Sequence, residues 1–389
     1  MSERPAIYMD HHATTPVDPS AFDRMAPYFT DKFGNAASLQ HEFGDDAANA
    51  VDIARVEIAD LLGTTARQVI FTSGATEANN IAIKGAMESA AGVRNPDDPP
   101  HLIVSSAEHK AVIDPAKWLQ RRGFDVTVLD VDRFGMVSSE SVAAAIREST
   151  VLVSVMLANN EVGTINPIED IGRECRSRGV MLHCDATQGT ACLPIDFDGW
   201  PVDLMSVSAH KAYGPKGVGA LLVKRDVRRK IQPLFHGGGH EQSLRSGTLP
   251  VPLIVGFGAA CEVAATRMVE DANRIGALRD RLWDGLQERI TGIHLNGHPT
   301  ERLFGNLNVS FDDVDGDRLL TLIHDVALSS GAACSTADPE PSHVLRAMGC
   351  SDERAIASLR FGLGRCNTED DVDFTVSYLS DIVARLRGS

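Results

Sequence analysis

A chain of 389 residues, 43% hydrophobic and 23% charged, can bury a full core and is long enough for about two domains. Its formal net charge of −16 argues against sequence-independent binding of nucleic acid, which needs a basic face. There is no run of roughly 18 apolar residues and no apolar core among the first ten, so neither a membrane span nor a signal peptide is expected, and a cytoplasmic site is the default. The seven cysteines are an odd number, with no CxxC and no zinc-type pairing of Cys with His. That usage reads as free thiols in a reducing compartment, with no metal centre.

After a short N-terminal arm the sequence alternates strand-like and helix-like stretches. Ala47, Val51, Ala54, Ile58 and Leu61 step by four and three, which predicts an amphipathic helix stopped by Gly63. A strand over 69–72 and a helix from near Thr76 follow, and the prolines and aspartates of 93–100 mark a loop. Strand-like runs then come at 102–105, 126–129, 151–156 and 180–184, with helical patterns between most of them. Such alternation predicts an α/β fold, with a mostly parallel sheet, helices on both faces and ligands at the carboxyl ends of the strands. From about Cys261 the texture changes to a helical run over 262–289, then strands at 306–311, 327–330 and 357–361 interleaved with helices. The expected organisation is an arm (1–15) associated with a small domain, a large cofactor-binding domain (16–260) and a smaller C-terminal α/β domain (261–389).

Candidate chemistry gathers at the strand ends. Two apolar runs, 202–207 and 218–223, are joined by a turn containing Gly214, Pro215 and Gly217, and Lys211 sits just before it. No acidic residue follows Asp203 in that stretch. A lysine held there is desolvated, its pKa falls, and it becomes a nucleophile able to form a Schiff base. The plainer reading is a strand-end lysine that snorkels to solvent. Asp185 ends another apolar strand, VMLHCD, twenty-six residues earlier. A carboxylate and a lysine on neighbouring strand ends suit pyridoxal 5'-phosphate, the carboxylate facing the pyridine nitrogen, although Asp185 alone reads equally well as a cap or turn residue. Residues 69–76 run from strand through Ser73, Gly74, Ala75 and Thr76 into a helix, which offers backbone N–H groups to a phosphate. Ser208 and His210 flank Lys211 and could add side-chain donors.

A set of segments then carries a resemblance over nearly the whole chain. They are YMDHHATTPVDP (8–19), FGNAAS (33–38), FTSGATEANN (71–80), EHKAV (108–112), NNEVG (159–163), HCDATQ (183–188), SAHKAYGPKGVGAL (208–221), HGGGHEQSLRSGTLP (236–250), SSGAACST (329–336) and LRFGLGR (359–365). Together, and in this order, they resemble the cysteine desulfurases, fold-type I pyridoxal phosphate enzymes of the class V aminotransferase group. The resemblance implies Lys211 as the Schiff-base lysine, Asp185 as the partner of the pyridine nitrogen, and Gln188 and Asn160 near the phenolic oxygen. It implies Ala75, Thr76, Ser208 and His210 around the phosphate, His109 stacked on the ring, and Thr248 reaching the phosphate of the other subunit of a homodimer. Arg360, with Asn35 assisting, corresponds to the group that pairs with the substrate carboxylate.

The implied reaction converts L-cysteine to L-alanine and leaves sulfur as a persulfide on Cys334, for an unidentified acceptor such as an iron-sulfur scaffold or a thiolation protein. Small residues flank Cys334 from Ser329 to Ala337, which predicts a mobile loop able to carry its sulfur. An aminotransferase, racemase or selenocysteine lyase-like enzyme on the same fold is the alternative, and the first two need no cysteine at 334. A non-catalytic member would leave the cofactor residues unexplained. The chain departs from the resemblance at Ala332, where a serine is common, and at His11 and His12. Its end at Ser389 offers no long extension of the kind some relatives use to dock a scaffold protein.

Overall fold

The computed structural model describes residues 6–92, 98–330 and 340–388. Its strands, in chain order, are β1 (Ile7–Tyr8), β2 (Val69–Thr72), β3 (His101–Ser105), β4 (Asp125–Leu129), β5 (Thr150–Ser154), β6 (Met181–Asp185), β7 (Leu204–Ser208), β8 (Gly219–Val223), β9 (Ile293–Asn296), β10 (Asn306–Phe311), β11 (Val326–Ala327), β12 (Ser329–Ser330) and β13 (Ser358–Gly362). Seven of them form one sheet in the order β2-β8-β7-β6-β5-β3-β4. The pairs from β7 through β4 are parallel, whereas β7 with β8 and β8 with β2 are antiparallel. The antiparallel edge follows from the tight turn after Lys211, since a hairpin reverses direction and only a crossover restores it.

Alternate residues of the strands feed opposite faces, as the two-residue period of a strand requires. Phe71, Ile103, Val153, Leu182 and Met205 join one core, which also takes Ala47, Val51, Ala54 and Ile58 from helix Glu42–Leu61. Ile70, Leu102, Leu152, Leu204 and Leu221 join the other, beneath helices Ala75–Ala91 and Lys110–Gln120. The helix Glu42–Leu61 ends where sequence predicts. Gly63 adopts φ +60°, a left-handed conformation that glycine takes without a Cβ penalty.

A second, antiparallel sheet of order β12-β13-β10-β9 carries its own core, in which Leu307, Val309, Leu359 and Phe361 meet Ile275, Leu278, Leu282 and Leu286. The long helix starts at Val251, not near 262, and runs to Arg289. Its first turns, with Ile254, Phe257 and Cys261, are buried in the core beneath the large sheet, and its last turns lie in the second core. It is long and apolar enough to cross a membrane, yet Val251, Ile254, Phe257, Leu278, Leu282 and Leu286 are buried against protein. The run 327–330 proves to be two strands. β11 pairs in parallel with β1, and β12 then joins β13.

Candidate active site

The carboxyl ends of β6 and β7, the turn after β2 and the start of helix Lys110–Gln120 enclose a cavity of about 710 Å³. Ala75, Thr76, His109, Asn160, Asp185, Gln188, Ser208, His210, Lys211 and Arg360 all line it. Two sequence candidates lie elsewhere. Asn35 is exposed, its Oδ1 accepting the Ala37 N–H at 3.0 Å, and Thr248 is exposed on the segment before the long helix. Cys334 and the loop around it fall outside the described residues.

Lys211 closes a single turn of 3-10 helix after β7. Its Nζ donates to the carbonyl of Ala13 at 2.7 Å and to that of His12. Burial and then the charge of Arg360 lower its pKa from 10.5 to about 7, against the pull of Asp10 and Asp185. Asp185 is the last residue of β6 and is buried. Its Oδ2 accepts from Asn79 Nδ2 at 2.7 Å and its Oδ1 from the Thr187 N–H at 3.0 Å, so one helix and one turn fix the plane of the carboxylate.

An anion cradle lies opposite. Helix Ala75–Ala91 begins after Gly74, which has φ +147° and supplies no side-chain cap. The first N–H groups of a helix have no carbonyl within it. A Cβ on Gly74 would stand 3.8 Å from Ser208 Oγ, so the cradle and the end of β7 are neighbours. Glu77 in this first turn is committed elsewhere, to Arg245 at 2.8 Å and the Ser73 N–H at 2.6 Å. His210 Nδ1 is 3.2 Å from Thr14 Oγ1, and burial lowers its pKa to about 4. His109 both caps its helix and faces the cavity. Its Nδ1 accepts the Ala111 N–H at 3.1 Å, which places the ring proton on Nε2 in the neutral form that burial favours.

Arg360, on β13, brings the second sheet to the site. Its Nη2 donates to Asp10 Oδ1 and Ser329 Oγ, both at 2.7 Å, and its Nη1 to the carbonyl of Asn160 at 3.0 Å. Its Nε is buried without a hydrogen-bond partner among the described residues.

The class-V aminotransferase model matches residues 7–374. A protein named cysteine desulfurase IscS from Anaeromyxobacter dehalogenans (strain 2CP-C) is 50% identical over 383 residues, covering 98% of this chain and 93% of its own. The chain belongs to the cysteine desulfurases of the class-V aminotransferase family. Among solved structures, a NifS-like protein is 36% identical with a TM-score of 0.90, covering 98% of this chain and 100% of its own. DndA from Streptomyces lividans is 38% identical with a TM-score of 0.78, covering 93% of this chain and 99% of its own.

This desulfurase family depends on pyridoxal phosphate, and the residues present fit it. An uncapped helix start beside Ser208 and His210 suits a phosphate, a carboxylate fixed on two sides suits a protonated ring nitrogen, and a lysine with its pKa lowered to about 7 suits an aldehyde. Sequence reasoning missed Asp10, His12, Asn79, Glu108 and Ser329. Asp10 and His12 lie in the arm, Asn79 inside a helix pattern and Ser329 in a strand pattern. Only their positions after folding bring them to the cavity wall or the layer behind it.

Proposed function

We propose that the protein is a cysteine desulfurase which converts L-cysteine to L-alanine and retains the sulfur as a persulfide on Cys334. The observation that carries the reading is the convergence of Lys211, Asp185 and Arg360 on one cavity. When bound, pyridoxal phosphate supplies an aldehyde for Lys211 and an electron sink for the charge left when the α-proton departs. Ala75, Thr76, Ser208 and His210 hold its phosphate, Asp185 its ring nitrogen, Gln188 and Asn160 its phenolic oxygen, and His109 its ring. Arg360 takes the substrate carboxylate, a planar bidentate task that suits guanidinium. Lys211, titrating near neutrality, accepts the α-proton. The Cys334 thiolate then takes the substrate sulfur: the Cβ–S bond breaks, an S–S bond forms, and the carbon skeleton leaves as alanine.

Residues 16–260 serve as the cofactor-binding domain and 261–389 as the small domain that carries Cys334 and Arg360, with the arm 1–15 bound to the latter. The working unit is a homodimer, in which Thr248 reaches the other subunit's phosphate and Asn35 assists at a carboxylate site. Support comes from the exposure of both residues away from their own cavity and from a concentration of exposed apolar side chains, Phe22, Phe29, Phe33, Phe43 and Ile53. The enzyme acts in the cytoplasm and delivers sulfur to an iron-sulfur scaffold or a thiolation protein.

Incubation of the holoenzyme with L-cysteine tests the reading. Alanine should form, and mass spectrometry should find one added sulfur on Cys334. Cys334→Ser should keep cofactor and lose the persulfide. A keto acid in place of alanine, or sulfur on another cysteine, rejects it.

A further inference from the structure

His12 hydrogen-bonds both Lys211 and Gln188, and nothing in the proposed reaction uses it. Its carbonyl accepts from Lys211 Nζ and from Gln188 Nε2, the latter at 3.0 Å. Its ring Nδ1 lies 3.0 Å from Gln188 Oε1. The geometry fixes every proton in this clamp. Turning the amide over would set Gln188 Oε1 against the His12 carbonyl, two acceptors face to face, so Nε2 must donate there and Oε1 must accept from the ring. The His12 proton therefore resides on Nδ1, and Nε2 keeps a lone pair. Burial and the charge of Arg360 hold the ring neutral, with its pKa lowered to about 3.

That lone pair is buried without a hydrogen-bond partner among the described residues, on a residue only 7% exposed. His12 also lines, with Cys192, Tyr213 and Asp271, a small chamber of about 30 Å³ that adjoins the active-site cavity and shares Gln188 and Lys211 with it. Asp271 gives one oxygen to Arg365 Nε at 2.7 Å, and its buried Oδ1 has Arg267 at 3.7 Å but no hydrogen bond. The Tyr213 hydroxyl accepts the Arg365 N–H at 2.9 Å and stays protonated, because burial raises its pKa. Its own proton still needs an acceptor. The residues that carry these two lone pairs and one O–H thus border a space large enough for a water, which needs about 10–15 Å³.

We propose that His12 is a positioning residue: anchored from behind by one buried water that bridges its Nε2 to Asp271, it holds the Gln188 amide with the second N–H turned to the cofactor. The water donates to His12 Nε2 and Asp271 Oδ1 and accepts from Tyr213. The inference rests on the reading of Gln188 as a cofactor contact.

A double-mutant cycle on the purified protein tests it, with His12→Leu, Gln188→Ala and the pair. One readout is the Kd of pyridoxal phosphate for the stripped protein, and the other is the pH midpoint of the holoenzyme's visible absorbance. Each single variant should weaken binding about fivefold, the scale of one lost hydrogen bond, and should move the midpoint in the same direction. The double variant should go no further than Gln188→Ala. His12→Asn, which keeps an N–H where Nδ1 stood, should recover most of the loss; it is compared with His12→Ala if the leucine variant does not fold. A high-resolution crystal structure should show one water within hydrogen-bond reach of His12 and Asp271. If Gln188→Ala changes both readouts and loss of the His12 ring changes neither, the clamp is refuted while the role of Gln188 stands. If Gln188→Ala changes neither, the reading of Gln188 falls and the clamp with it. A dry chamber overturns the water bridge.

Discussion

Glu108 should make the fold less stable as pH rises through neutrality, and removing its charge should abolish that trend. Its side chain is fully buried just beyond β3, where Oε1 accepts from Ser105 Oγ at 2.9 Å and from the Met156 N–H at 2.8 Å. Oε2 has no partner. Burial, reinforced by the charge of Asp185 and opposed by those two hydrogen bonds, raises its pKa from 4.5 to about 8. The folded state therefore holds a proton that the unfolded state releases above about pH 4.5, and stability falls with pH until the folded group ionises near 8. At about 1.36 kcal/mol per unit, the penalty is about 2 kcal/mol at pH 6 and about 5 kcal/mol at pH 8.5. Glu108→Gln keeps an oxygen for both hydrogen bonds and never ionises. Its stability relative to the parent should thus improve by about 2 to 3 kcal/mol between pH 6 and pH 8.5. Urea unfolding of both proteins, free of cofactor and at one protein concentration, measures this without a contribution from ligand binding. A gap that stays constant between the two pH values refutes a proton on Glu108.

Lys211→Ala should lower turnover at least ~10²–10⁴-fold, the usual cost of losing a general base. In the cofactor-free parent, acylation of Nζ should rise through about pH 7, and a midpoint near the ordinary 10.5 would contradict its desolvation. Arg360→Lys should raise the KM for L-cysteine roughly tenfold or more, as expected for a lost charge-assisted hydrogen bond, while the cofactor spectrum persists; an unchanged KM removes Arg360 from the substrate site. Dilution to monomer should release cofactor if Thr248 completes a neighbour's phosphate site. Sedimentation with absorbance detection decides it, and a monomer that keeps its cofactor excludes the shared site.

The large sheet was legible because its strands are short apolar runs punctuated by turn residues. β2 falls where sequence places it, β3 starts one residue earlier, and β6 is displaced by one residue. Lys211 and Asp185 were legible for the same reason, since strand ends in a parallel sheet are where side chains meet a ligand. The start of the long helix was not. Residues 251–260, VPLIVGFGAA, are apolar around the whole helix because both sides are buried, and a stretch without a polar face shows no helical period. The run 327–330 looked like one strand because periodicity cannot reveal that a chain changes sheets at Leu328. Asp10 and His12 were hidden by distance along the chain. Asp10 meets an arginine 350 residues away, and His12 a lysine 199 residues away. No local pattern announces such contacts.

The arm that carries Asp10 and His12 also sets the order in which the enzyme can be completed. β1 pairs with β11, His12 and Ala13 receive Lys211, and Asp10 receives Arg360. The arm therefore waits, during synthesis, for partners that lie far C-terminal to it and include β13. The large sheet closes at β8 and can assemble while the rest is still being made, because domains fold as units during synthesis. Lys211 then stands in a finished sheet but an open pocket until β13 emerges. Contacts of such long sequence separation form slowly. A nascent chain is thus a folded scaffold before it is a desulfurase, and the Lys211 amine gains its final surroundings only once β13 has been made.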